Sequence, residues 1–158
     1  MTLTEFCNWY KSLNFPKNTN QWSGKIFYTD CSSSTIVYVH ENFLVEEYHL
    51  FPRAVVPLHN HPFETISIFL GGEFIGYREN IQNGKLYNER DIGVIGNVLP
   101  VGANHGFLVG PEGAALLVIS RWDNLDQRNS ATIVYNGQSM GPVHDKLIEK
   151  HKHEQTTI

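Results

Sequence analysis

Apolar residues recur first at helical spacing and then in short strand-like runs. Phe6, Trp9, Tyr10 and Leu13 share one helical face, and Thr2 followed three residues later by Glu5 has the form of a capping box. Pro16 closes that pattern, so the spacing predicts a short N-terminal helix with its aromatic face on the main body. From Lys25 the chain changes character. Lys25–Thr29, Thr35–His40 and Phe43–Phe51 are β-branched and aromatic runs separated by Asp, Ser and Asn, with Glu41-Asn42 read as a hairpin turn. Thr65–Leu70 and Glu73–Glu79 flank Gly71-Gly72, which reads as a second hairpin because paired glycines tolerate positive φ. Gly110-Pro-Glu-Gly113 precedes a long strand over Ala114–Trp122, and Thr132–Tyr135 is a short last strand. The stretch from Pro142 to His153 reads as a polar, weakly helical tail.

Many short strands without intervening long helices predict an all-β antiparallel sandwich or barrel. With 158 residues, no internal repeat and no linker, a single domain over 1–158 is expected, its core at about 21–136. Charge then narrows the partners. The net charge is −4 with only 12 Lys and Arg, where a nucleic-acid binder concentrates basic residues on its surface. No apolar run approaches the roughly 20 residues of a membrane span. Cys7 and Cys31 cannot build a disulfide framework, which points to a reducing cytoplasmic setting.

Eight histidines are many for a chain with so few charges. His40 and His49 fall in strands as ordinary residues, and His144, His151 and His153 fall in the polar tail. The other three are arranged differently. His59 and His61 stand two apart, and alternate side chains of a strand share a face, so both imidazoles project together. His105 opens a later strand after Pro100-Val-Gly102-Ala-Asn, and a sheet folded on itself can bring it to the pair. Imidazole suits Fe, Mn, Co, Ni, Cu and Zn alike, so three such ligands point to a divalent transition metal without choosing among them.

In these segments the chain resembles the cupins, small double-stranded β-helix (jelly-roll) barrels. His59-Asn-His61 is followed by Glu64 and, after six residues, Gly71; Gly93, six residues, Pro100-Val-Gly102 and His105 follow the second motif. The likeness spans roughly residues 50–122. Two residues separate His61 from Glu64 where the family has three or four, and Val109 stands where the second motif ends in Asn. The resemblance implies metal ligands His59, His61, Glu64 and His105, with Glu64 alternatively acting as a base. It also implies a small-molecule substrate and a homodimer, and, by frequency among cupins, an Fe(II) dioxygenase. A non-redox lyase, isomerase or decarboxylase is the alternative, followed by a non-enzymatic ligand binder. Arg53, Tyr48, Tyr77 and Phe63 are the pocket candidates, with Tyr87 and Trp122 as further wall residues; Arg53 shares strand parity with His59 and would meet an anionic group.

Overall fold

A computed structural model describes residues 1–17, 25–28, 31–121, 133–134 and 144–156. Helix α1 (Leu3–Ser12) begins at Thr2, whose side chain accepts from the Glu5 amide while the Glu5 carboxylate accepts from the Thr2 amide. The predicted capping box is therefore present. The helix stops at Ser12, which leaves Leu13 at 42% exposure and off the packed face. Leu3, Phe6, Cys7 and Tyr10 are buried against the sheet, and Phe6 stacks on Phe43 with ring centroids 4.3 Å apart.

Eight strands follow: β1 (Lys25–Tyr28), β2 (Ser32–His40), β3 (Phe43–Leu50), β4 (Val55–Asn60), β5 (Thr65–Tyr77), β6 (Lys85–Tyr87), β7 (His105–Arg121) and β8 (Ile133–Val134). They pair antiparallel in the order β1-β2-β3-β7-β4-β8, while β5 pairs with β7 and β6. The turn at Glu41-Asn42 joins β2 to β3 as expected, with Glu41 at φ 53°. The outer ends of the expected core, Trp122, and the flanks of the last strand lie outside the described residues.

Gly71-Gly72 does not make the hairpin read from sequence, and Gly110–Gly113 lies within a strand and not ahead of one. β5 runs through Gly71-Gly72 for 13 residues, and β7 runs through Gly110–Gly113 for 17. Gly72 and Gly113 have φ of +82° and +77°, and a Cβ on Gly72 would overlap the Gly113 carbonyl. The strand register shifts at the same place, from Gly72 opposite Ala114 to Phe74 opposite Val109. Two neighbouring strands thus bend together, and the sheet folds into a barrel with no break in either strand. One edge of β7 shows the result: its later half pairs with β3 and its early half with β4.

The polar tail forms the helix read from its sequence, α2 (His144–Thr156), and docks on the barrel: Ile148 is 1% exposed and joins Leu58, Ile75, Tyr77, Ile81, Leu86 and Leu108, while Lys152 pairs with Glu73 at 3.2 Å. Among the described side chains of α2, Ile148 is the apolar one in this contact, too little for periodicity to reveal. Among the described residues no helix is long and apolar enough to cross a membrane.

The bend is open to direct measurement. Gly72→Ala is expected to lower the urea midpoint by at least about 1–3 kcal/mol of stability, whereas Gly71→Ala, whose Cβ meets nothing within 4 Å, leaves it nearly unchanged. Equal effects from the two substitutions would be inconsistent with a steric bend at Gly72.

Candidate metal centre

His59 reaches the site through a bulge. Val56 pairs with Phe107, yet His59 pairs with His105, so β4 spends three residues where β7 spends two. Pro57 sits in that bulge, where its missing N–H forfeits no ladder hydrogen bond. The extra residue inverts the side-chain alternation upstream. Arg53, expected to share a face with His59, instead lies before the strand at φ 59° and is exposed, away from the cavity wall.

The three imidazoles converge. Ring centroids lie 4.2 Å apart for His59 and His105, 4.9 Å for His59 and His61, and 5.0 Å for His61 and His105. Their ligating nitrogens all fall within 4.8 Å of one another. His59 Nδ1 donates to the Pro57 carbonyl at 2.9 Å and His105 Nδ1 donates to the Ala103 carbonyl at 3.0 Å. Those bonds put the proton on Nδ1, so Nε2 of each ring presents a lone pair. The ligand-bearing segments are also tied to each other. Asn60, between His59 and His61, donates from Nδ2 to Asn104 Oδ1 at 3.0 Å, and the Gly102 amide donates to the His61 carbonyl at 2.9 Å. Asn60 and Asn104 were not singled out from the sequence; their only signal is adjacency to the histidines.

Burial keeps the rings neutral. Desolvation, then repulsion from His105 and His59, pushes His61 down to about 3 from the ordinary 6.5. Desolvation and His59 push His105 to about 4, with a further push from Arg78 and against the Ala103 bond. His59 is lowered by desolvation, opposed by its bond to Pro57. Neutral imidazole is the form that binds a metal, and three such nitrogens with no thiolate fit a transition ion with open positions rather than a closed structural zinc.

Glu64 is not in this group of donors. The short link from His61 places it just before β5, and the next residue, Thr65, is the one on the cavity wall. At the family's spacing of three intervening residues the position after His61 is Thr65, a neutral hydroxyl. The described part of Glu64 in the ladder is its carbonyl, which accepts from the Arg121 amide at 3.4 Å.

Below the imidazoles lies a cavity of about 380 Å³. Tyr48 lines it together with Leu50, Val56, Phe107, Leu116 and Val118; Cys31, Ser32, Thr65, Ser67 and Asn97 add neutral polar atoms. Phe63 stacks on His61 at 4.9 Å and packs toward Ile36 and Leu44. Tyr77 does not reach the cavity: it is 3% exposed in the cluster under α2, facing the other side of the strand. Tyr87 stacks on Phe74 at 4.8 Å, off the wall. Of the remaining histidines, His40 lies among Phe6, Trp9 and Tyr38, His49 pairs with Glu47 at 3.2 Å, and His151 is buried on α2.

The fold is the cupin double-stranded β-helix. No protein-family model matches the chain, and no curated protein matches it, but solved structures do. KdgF from a Halomonas species is similar at 16% identity and TM-score 0.54, over 72% of this chain and 98% of that one. An RmlC-like cupin from Shewanella frigidimarina is similar at 15% identity and TM-score 0.55, over 70% and 93%. The DMSP lyase DddQ from Ruegeria pomeroyi is similar at 18% identity and TM-score 0.56, over 75% and 63%. At such identities the likeness concerns the fold.

The neutral imidazoles set an acid limit for the metal-free chain. Above pH 6.5 they are neutral folded and unfolded; below it the unfolded chain takes up protons that the folded site refuses, so stability falls as pH drops through about 4 for His105 and about 3 for His61. Urea midpoints of the metal-free protein should decline across that window, and less steeply in His61→Gln. A midpoint that is flat from pH 6.5 to 4 would contradict burial of neutral rings.

Proposed function

We propose that this chain is a metal-dependent cupin enzyme acting on a small molecule, and that its reaction is an Fe(II)-dependent oxidation by O₂. The observation that carries the reading is the convergence of three neutral imidazoles at the head of a cavity whose wall, among the described residues, has no carboxylate. Proton-transfer chemistry calls for a positioned acid or base. Here Glu64 lies outside the donor group, and the histidine Nδ1 protons of His59 and His105 are committed to backbone carbonyls. The reading therefore leans on chemistry that the ion itself supplies when bound: Lewis acidity, open coordination positions and, for iron(II), reducing equivalents toward dioxygen.

The protein's own part is positioning and exclusion. Pro57 and Ala103 carbonyls hold two rings in one tautomer, and the Asn60–Asn104 bond holds their strands in register. Phe63 covers one face of His61, and the apolar wall limits water beside the site. A second reading, a non-redox lyase, isomerase or decarboxylase, is favoured by one feature: the Tyr48 phenol lines the cavity and can move a proton. The similarity to a DMSP lyase is in keeping with it.

Oxygen uptake separates these readings. Fe(II)-loaded protein offered a panel of chelating thiols, acids and hydroxyketones is expected to consume O₂ with at least one of them. His105→Ala should lose metal affinity by more than the roughly 10–100-fold typical of outer partners, while Glu64→Gln stays within about twofold of wild type. Turnover that persists without O₂, or with Zn in place of iron, and that fails in Tyr48→Phe, would move the assignment to the non-redox class. Ligand binding with no turnover under either condition would leave a binding protein.

A further inference from the structure

Among the described residues, the cavity under the three imidazoles has no ionic side chain on its wall. No Lys, Arg, Asp or Glu among them lines it, and its polar atoms belong to neutral groups such as Ser67 and Asn97. The cations near the site in sequence or in register lie elsewhere. Arg53 is exposed on its positive-φ turn, and Arg78, one residue beyond the Tyr77–Gly106 pair, is exposed with Nε donating to the Asn104 carbonyl at 3.0 Å. Next to the wall, on the same face of the sheet, the buried ionisable group is acidic. Glu46, 4% exposed, is the cross-strand partner of the wall residue Val118 and accepts a hydrogen bond from Ser34 at 2.8 Å. An anionic tail would be stripped of water there with no counter-charge, an arrangement that burial strongly disfavours.

We propose that the cavity takes a small molecule with one chelating head and an uncharged, apolar body, and that it rejects ligands with a second anionic group, such as phosphate esters and dicarboxylates. This rests on a metal ion being held by His59, His61 and His105. The head, bearing two adjacent heteroatoms, meets the ion; the body lies against Leu50, Val56, Leu116 and Val118. A volume of about 380 Å³ is near the small end of ligand sites, which run from about 300 to 1,000 Å³.

The test uses the full chain loaded with Co(II), whose visible absorption reports its ligands, and titrates hydroxamates that share one head. From acetohydroxamate to butyrohydroxamate, Kd is expected to fall roughly fourfold per added methylene. Succinic monohydroxamate, of similar length with a carboxylate tail, should bind weaker than butyrohydroxamate by roughly tenfold or more. Cys31 provides a readout independent of the ion, since it lines the cavity while Cys7 is 0% exposed. Butyrohydroxamate should slow alkylation of Cys31 by iodoacetamide more than acetohydroxamate does. A flat series, tighter binding of the carboxylate-tailed probe, or unchanged Cys31 labelling at saturation would overturn the ligand class while leaving the metal centre standing. Identical Co(II) spectra for wild type and His105→Ala would overturn both.

Discussion

Everything in this barrel depends on a close approach of two backbones. At Gly72 and Gly113 the two longest strands touch so tightly that a single added carbon would overlap a carbonyl, and both chains take positive φ there. Because the strands are already paired, neither bends without the other. The coupled bend lets β7 serve β3 with one half and β4 with the other, so that one sheet encloses an interior. A regular pair of that length would stay a twisted ribbon, with its wall residues spread over an open face.

The imidazoles are placed by backbone as much as by side chains. A one-residue bulge at Pro57 sets His59 opposite His105, and carbonyls two residues upstream orient both rings. The cost is borne in protonation. Crowding three bases out of water favours the neutral form, which is also the form with a lone pair to give. Packing, tautomer and charge state therefore agree on one use of the site.

The wall below adds a different constraint. Among the described residues it is apolar with a few neutral polar atoms and no charged side chain. The acidic group nearest in the motif, Glu64, is not among the residues that line it.

Local pattern by itself determined a good deal. The capping box of Thr2 and Glu5, the turn at Glu41-Asn42, the antiparallel β character and the grouping of His59 and His61 all depend on residues a few positions apart, where spacing translates directly into geometry. His105 was legible through the order of the two cupin-like segments. What the tertiary structure decided involves partners distant in sequence. The glycines at 71–72 and 110–113 look like turns alone and become bends only because they face one another. Arg53 loses its parity to a bulge that pairing with β7 creates, Tyr77 is buried by Ile148 arriving from α2, and Thr65 lines the cavity while Glu64, the ligand that the resemblance implies, does not. Side-chain direction in a strand flips with every inserted residue, and insertions of this kind are set by the partner strand, which no local pattern contains.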